Sequence, residues 1–189
     1  MKPTEELMKE HTAIRLMLDI MGRAAERIET GEEPNLQELD DILSFLTTFA
    51  DGCHHAKEEE FLFPALERAG MPRSQGPIGV MLAEHDRGRA LIKGIAAAIA
   101  EYRAGVRPMP ASFGANVRSY AILLDQHIEK ENMVLFPMAE RLIPEGEQQE
   151  IARAFDRLEL ERIGVGKHEE FHALLRRLKD EYLTPAQES

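Results

Sequence analysis

The amino-acid sequence predicts an all-α fold, an antiparallel up-down four-helix bundle followed by two short C-terminal helices. Hydrophobic residues recur at steps of three and four along nearly the whole chain, and the alternation typical of β-strands is almost absent. Segments rich in glycine and proline divide the chain into pieces of helix length. The chain has 189 residues, which is enough for one domain with a sizeable core. We expect residues 1–189 to form a single domain.

The first two predicted helices form a hairpin over about residues 4–70. An apolar stripe with steps of three and four covers the first helix, and Gly31 follows it where a helix stop is expected. Asn35 begins the second helix as an N-cap, and Glu38 completes a capping box. We expect this second helix to bend near Pro64.

The next two predicted helices form a second hairpin over about residues 77–143. The inner face of the third helix extends from Ile78 to Ile99, and the fourth helix repeats the three-four stepping from Val117 to Met138. Short loops between long helices predict antiparallel neighbours. The two hairpins together form a core bundle of about residues 4–143.

Two shorter helices are predicted near residues 147–163 and 167–182. They are separated by a Gly-Val-Gly segment at 164–166. We expect residues 144–189 to cap the bundle.

The composition limits the partners and the location of the protein. Lys and Arg number 23 against 34 Asp and Glu, a net charge of −11, so the surface repels phosphate backbones and we expect no nucleic-acid partner. A single cysteine, Cys53, excludes an internal disulfide and a four-thiolate metal site. The charged N-terminus resembles no signal peptide, and the longest apolar run, Ile95 to Ala100, is far shorter than the roughly 20 residues of a membrane helix. We expect a cytoplasmic protein without a membrane partner.

The two hairpins repeat each other, and the repeated residues are of types that bind metals. In each half, a Glu-His pair on the first helix is followed by His-x3-Glu and then Leu-Phe-Pro on the second. The matching residues lie 73 or 74 positions apart. The repeated candidate ligands are His11, His54 and Glu58 in the first half, and His85, His127 and Glu131 in the second. Two such hairpins packed about a pseudo-twofold axis bring these side chains into one core.

The spacing of the repeated residues favours a site for two metal ions. A histidine and a glutamate four positions apart lie on one helix face and can reach the same centre. Burying two glutamates beside four histidines without a cation costs several kcal/mol in desolvation. Nitrogen and oxygen donors without thiolates favour iron or manganese over a structural zinc. The alternative is a purely structural bundle, whose melting temperature would not respond to iron or chelators.

At these residues the chain resembles the hemerythrin-like family with the HHE cation-binding motif, in its longer bacterial and archaeal form. The similar segments are CHHAKEEEFLFPAL, GPIGVMLAEH and HIEKENMVLFPMAERL, and the resemblance covers about residues 5–143. It implies an oxo- or hydroxo-bridged di-iron centre, with manganese or zinc as substitutes for iron. It further implies that the four histidines are nitrogen ligands and that Glu58 and Glu131 are bridging carboxylates. The Leu-Phe-Pro offset selects His54 over His55 as the ligand.

The sequence also departs from the oxygen carriers of that family. Those proteins use five histidines, one glutamate and one aspartate, and their third helix carries a second histidine one turn after the first. Arg89 occupies that position here, and the fourth helix offers Glu131 in place of a later aspartate. Fewer histidine ligands leave more open metal positions, which favours redox or peroxide chemistry over reversible oxygen carriage.

Several residues have two interpretations. His168 and His172 are candidates for additional metal ligands, or they form a solvent-facing pair. Tyr120 is a candidate hydrogen-bond donor to a ligand or to a bound oxygen species, or else a core tyrosine. The remaining candidates for indirect roles are Glu10 and Glu84, which either accept hydrogen bonds from ligands or are exposed charges. Cys53 is expected to point away from its neighbour His54 and to be packed.

The function predicted from these residues is that of a non-haem di-iron protein that handles O2, peroxide, NO or iron. The sequence leaves open whether the protein turns over a substrate or binds and senses one. Ferritin-like iron storage is a weaker alternative, because its paired Glu-x2-His signature has only one near match here, at Glu169 and His172. The oligomeric state is expected to be a monomer or a homodimer.

Overall fold

The computed structural model describes residues 1–164 and 166–184, and this part of the chain is helical without a β-strand. Val165 and residues 185–189, which the sequence assigns to the last linker and the C-terminal end, lie outside the described residues. The six helices of the described part are α1 (Pro3–Glu29), α2 (residues 36–68), α3 (Gly76–Arg103), α4 (residues 111–142), α5 (Glu145–Arg162) and α6 (Lys167–Tyr182). The predicted all-α fold class is confirmed.

The predicted boundaries of the first hairpin agree with the structure. Helix α1 ends before Gly31, which has a φ of 101° that strongly favours glycine. The Asn35 side chain accepts hydrogen bonds from the backbone N–H groups of Gln37 and Glu38, so it caps α2 as predicted. The Glu38 side chain does not complete the predicted capping box, because it accepts hydrogen bonds from two side chains that follow Gly166 in the chain.

Helices α2 and α4 both contain wide π-helical turns. In α2 these turns cover Phe45–His55 and Glu58–Leu62, and in α4 they cover Glu131–Leu135. The Phe63 N–H donates to the Glu58 carbonyl five residues earlier rather than four. Each shorter segment precedes a Phe-Pro pair, and proline cannot donate the usual helical hydrogen bond and clashes with the preceding turn. The bend predicted near Pro64 therefore takes the form of a widened turn before it.

Two apolar clusters fill the bundle, and a band of buried polar side chains separates them. Along α1, Leu7 belongs to one cluster and Ile14 to the other, with His11 between them. Along α4, Leu124 and Leu135 are divided in the same way. The apolar layers on both sides exclude water from the polar band.

The C-terminal helices lie along the side of the bundle, where the sequence predicted a cap. Helix α5 packs Leu158 against Cys53, and α6 packs Phe171 against Phe45 with ring centroids 5.5 Å apart. Ion pairs connect α6 to α1 and α2, including Arg27 with Glu181 at 3.1 Å. The apolar residues of α6 recur at helical spacing, so they bury best in a lengthwise groove. Because α5 and α6 pack against it, α2 is covered on its outer face as well as on the face that points into the bundle.

None of the helices in the described part of the chain is long and apolar enough to cross a membrane.

Candidate metal centre

The structure brings the six candidate ligands together in the polar band. Helix α1 contributes one histidine, α3 contributes another, and α2 and α4 each contribute a histidine and a glutamate. All six side chains are at most 2% exposed: His11, His54, Glu58, His85, His127 and Glu131.

The six side chains form two half-sites that share both carboxylates. We call the group His11, His54, Glu58 and Glu131 the first half-site, and His85, His127, Glu58 and Glu131 the second half-site. In the first half-site the two Nε2 atoms are 3.1 Å apart, and in the second they are also 3.1 Å apart. Donor atoms this close in each group fit one metal ion per half-site.

The two glutamates have a bridging arrangement. Glu131 places Oε2 3.1 Å from His11 Nε2 and Oε1 3.2 Å from His127 Nε2. Glu58 places Oε1 3.8 Å from His54 Nε2 and Oε2 3.4 Å from His85 Nε2. Each carboxylate therefore directs one oxygen to each half-site.

The carboxylate oxygens supply a test of whether metal ions fit here. None of the four oxygens of Glu58 and Glu131 has a hydrogen-bond partner, although both residues are 0% exposed. Buried polar atoms are otherwise nearly always paired, and a buried charge without a partner is costly. Burial and the neighbouring charge of Glu131 raise the pKa of Glu58 well above its usual range. Two divalent cations would remove both costs, so the donor set fits a dimetal centre.

The pKa values of Glu58 and Glu131 are shifted in opposite directions. Burial alone would raise the pKa of Glu131, but the His127 and His11 imidazoles lower it well below its usual range. Burial lowers the pKa of His54 well below its usual range. A neutral imidazole is the form that binds a metal.

The outward nitrogen of each of the four candidate ligand histidines is held by an oxygen atom. His54 Nδ1 is 2.7 Å from Glu10 Oε2, and His127 Nδ1 is 3.0 Å from Glu84 Oε2. The structure therefore places both predicted glutamates against candidate ligand histidines. An Nδ1–H that donates outward leaves the lone pair on Nε2, facing the centre.

Two further partners were not predicted from the sequence. His85 Nδ1 is 2.7 Å from Glu59 Oε1, and His11 Nδ1 is 2.8 Å from Asn132 Oδ1. Glu59 and Asn132 occupy equivalent positions in the repeat, each directly after a glutamate shared by the two half-sites. The internal repeat could therefore have predicted that both residues contact a histidine of the site.

The phenylalanines of the Leu-Phe-Pro tripeptides cover the histidines of the opposite half. Phe136 stacks on His11 with ring centroids 5.5 Å apart, and Phe63 stacks on His85 at 5.9 Å. Both phenylalanines are 0% exposed. The repeated tripeptide thus excludes water from the centre and connects the two hairpins.

Lys57 occupies a buried acidic cluster beside the first half-site. Its Nζ atom is 2.5 Å from Glu10, 2.6 Å from Glu6 and 3.2 Å from Glu159. Burial alone would lower the pKa of Lys57, but the Glu10 carboxylate raises it. Cys53 belongs to the same cluster, and burial raises the pKa of its thiol to about 12. The ammonium group balances these carboxylates, and the protonated thiol is unreactive.

The other candidates lie in different surroundings. Tyr120 is fully buried with a hydroxyl that lacks a hydrogen-bond partner, and its ring lies beside Gly88 on α3. His168 and His172 pair with each other, with ring centroids 4.6 Å apart, and His168 Nδ1 is 3.0 Å from Glu159. The structure does not bring this pair into either half-site, because α6 lies on the outside of the bundle.

His55 is an additional buried histidine at the centre. It is 3% exposed and stacks on His85 with ring centroids 3.9 Å apart and an interplanar angle of 16°. Burial lowers its pKa to about 3. The Leu-Phe-Pro offset selects His54 over this residue, although the adjacent pair of histidines is visible in the sequence.

An all-α bundle with two His/Glu half-sites joined by two shared carboxylates defines a cation-binding helical protein. The sequence model of the hemerythrin HHE cation-binding domain matches residues 2–139, and the chain belongs to that family.

The chain is also similar to two curated proteins. The chain is 26% identical to the Mycobacterium tuberculosis protein Rv1995 over 160 residues, which are 85% of this chain and 62% of that relative. It is 33% identical to the iron-sulfur cluster repair protein YtfE of Yersinia pestis over 132 residues, which are 66% of this chain and 57% of YtfE. The chain thus spans about three fifths of the length of these relatives.

Proposed function

We propose that this chain holds two iron ions, one in each half-site, and uses them to react with small oxidants such as dioxygen, hydrogen peroxide or nitric oxide. The observation that carries this proposal is the bridging arrangement of Glu58 and Glu131, each with one oxygen directed to each half-site. Two carboxylates shared in this way hold two cations at a short distance from each other.

The donor set favours iron and leaves coordination positions on each metal open. Imidazole and carboxylate donors suit iron or manganese, and no thiolate converges on the centre. Each half-site has four donor residues, which leaves room for water or an external molecule on a metal that prefers more ligands. Bound ferrous ions would supply electrons and Lewis-acid positions to that molecule.

The protein residues restrict what can react. All six ligand side chains are at most 2% exposed, and Phe63 and Phe136 cover the histidines. Only a small molecule can reach such a centre without large movements of the helices. The outward hydrogen bonds of the imidazoles orient the rings and increase their basicity as ligands.

A second candidate function is the transfer of iron to another protein. It is favoured by the likeness to YtfE, whose name describes iron-sulfur cluster repair. A cavity of about 370 Å³ is lined by Glu10, which contacts His54, and by Glu6, Asp156, Glu159 and His168, among others. Carboxylates along this opening would attract a cation that leaves the centre.

The experiment that tests the metal proposal is metal analysis of protein purified without oxygen, combined with ultraviolet–visible spectra. We expect about two irons per chain, following the two half-sites. Spectra recorded before and after addition of air, hydrogen peroxide or NO will identify the molecule to which the centre responds. Iron-free protein, or a single zinc per chain, would contradict the proposal.

Variants separate the possible uses of the centre. His54→Ala should abolish turnover of peroxide or NO, while Met133→Ala serves as a control outside both half-sites. A di-iron protein without turnover that forms a stable adduct with O2 or NO would indicate a binding or sensing role. Loss of iron to an iron-free acceptor protein, faster than to buffer, would support the transfer function.

A further inference from the structure

A carboxylate and two histidines belong to the cavity that Glu10 also lines. Glu159 of α5 and His168 and His172 of α6 contribute to the lining of this cavity of about 370 Å³. Glu159 places Oε2 3.2 Å from Lys57 Nζ and Oε1 3.0 Å from His168 Nδ1. The His168 nitrogen is nevertheless buried without a hydrogen-bond partner. An unpaired imidazole nitrogen therefore faces a carboxylate oxygen, and a cation between them would satisfy both atoms.

The distances within this group match those within the two half-sites. The rings of His168 and His172 have centroids 4.6 Å apart and an interplanar angle of 60°. The histidine pairs of the half-sites have values of 4.7 Å and 61°, and of 4.8 Å and 64°. The distance of 3.0 Å from His168 to Glu159 is also close to the 3.1 and 3.2 Å from Glu131 to its two histidines. A nitrogen and an oxygen that bind one ion at about 2.1 Å and at a right angle are about 3.0 Å apart.

The group differs from the half-sites in its exposure to solvent. The side chains of His168 and Glu159 are 35% and 31% exposed, whereas Glu10, which lines the same cavity, is 6% exposed and contacts His54 Nδ1 at 2.7 Å. The cavity therefore leads from a solvent-accessible group of metal-binding side chains to the partner of a candidate ligand in the first half-site. Because α5 and α6 follow the internal repeat, neither hairpin contains a copy of this group.

The charges around the cavity favour a cation. Its lining contains four carboxylates and one lysine, and the buried Lys57 behind them adds a second ammonium group, so the surroundings are net negative: Glu6, Glu10, Asp156 and Glu159 against Lys9 and Lys57. Burial and the neighbouring His168 lower the pKa of His172. A neutral imidazole is the form that binds a metal.

We propose that Glu159, His168 and His172 form an exchange site for ferrous iron, which the ion occupies on its way between solvent and the first half-site. This inference rests on the proposed dimetal function and gives the transfer of iron a binding site of its own. The exchange site has one carboxylate where each half-site has two, and its side chains are more exposed. We therefore expect it to bind the ion more weakly than either half-site, as release to an acceptor requires.

The binding test is an anaerobic titration of the full chain with cobalt(II), a redox-stable substitute for ferrous iron, followed by visible absorption. Native protein should bind two equivalents tightly, one per half-site, and a third more weakly. Combining His168→Ala with His172→Ala should remove only the weak equivalent. The control Lys179→Ala, an exposed substitution on the same helix, should keep all three. Glu159→Gln leaves both imidazoles in place and should weaken the third equivalent, so a poorly folded histidine variant does not leave the question open.

The outcomes separate this inference from the proposal on which it rests. Two tight equivalents with no third, or a third that persists in the double histidine variant and in Glu159→Gln, would overturn the exchange site and leave the dimetal centre intact. Absence of tight equivalents would overturn the dimetal proposal and, with it, the route to the centre.

The role in exchange has a kinetic test. Protein loaded with two ferrous ions is mixed anaerobically with a ferrous chelator, and the release of iron is followed by absorbance. One iron should leave native protein faster than the other, and the double histidine variant should slow this fast phase several-fold without changing the slow phase. Equal rates in native protein and in the double variant would overturn the exchange role even if the third equivalent binds.

Discussion

Lys57 provides the sharpest test of the electrostatics around the centre. Its ammonium group is 0% exposed and contacts three carboxylates, of which Glu10 is itself only 6% exposed. Lys130 is the equivalent residue of the second half, and it contacts Glu84 while remaining 40% exposed. The repeat therefore offers the same pair in a buried and in a more exposed setting.

The substitution Lys57→Met should be far more destabilising than Lys130→Met. Removing one partner of a buried ion pair costs about 3–5 kcal/mol because the other charge stays buried and uncompensated. For Lys57→Met this corresponds to a decrease in Tm of about 10 °C in a chain of this size. The exposed pair of Lys130 is worth at most about 1 kcal/mol.

Urea unfolding of the metal-free protein, in the presence of a chelator, measures both losses without a contribution from metal binding. Adding Glu10→Gln to Lys57→Met should restore part of the stability, since the most deeply buried of the three uncompensated carboxylates is then neutral. Equal losses for the two lysine variants would refute the argument from burial.

Three further predictions concern the ligands and their partners. Ferrous iron at about 100 times its dissociation constant should stabilise the native protein by about 2.7 kcal/mol per occupied half-site, or about 5.4 kcal/mol for both, in anaerobic thermal melts. Glu58→Gln should lose most of this gain because it alters a donor of both half-sites. Burial alone would raise the pKa of Glu59, but its hydrogen bonds with His85 and Arg89 lower it to about 2. Glu59→Gln should therefore cost about 1–2 kcal/mol at pH 7, because the side chain is 25% exposed and solvent screens part of the interaction. Urea unfolding should show this difference shrinking as the pH falls from about 4.5 toward 2, where the native carboxylate is protonated; a constant difference would contradict the assignment. Asn132→Ala should weaken metal binding about tenfold in an anaerobic metal titration, whereas its exposed neighbour Met133→Ala should leave affinity unchanged.

The helices and the six candidate ligands could be predicted from the sequence because both follow from local helix geometry. The three-four stepping of apolar residues predicts helix faces, and His54 and Glu58 fall on one such face with the same spacing as His127 and Glu131. Because the same histidines and glutamate recur in both hairpins at a nearly constant offset, the two sets are predicted to face each other in one core. The structure confirms the fold class and brings all six side chains together, while their role as ligands stays a prediction.

The place of His55 could not be predicted from helical periodicity. An ordinary α-helix turns about 100° per residue, so a helix that directs His54 inward directs its neighbour elsewhere. The π-helical turns over Phe45–His55 hold more residues per turn and change that register. The C-terminal helices also cover the outer face of α2, so that every residue from Cys53 to Glu58 is buried.

The sequence by itself determined the helical class, the internal repeat and the types of donor atoms, because these depend on residues only a few positions apart. Tertiary packing alone decided that Lys57 is buried while Lys130 remains partly exposed, and that the C-terminal helices lie along the bundle instead of capping it. It likewise decided that His168 and His172 stay outside the centre. The physical reason is that burial and interhelical contacts depend on how helices distant in sequence are placed, and two nearly identical halves acquire different surroundings when an additional layer covers only one of them.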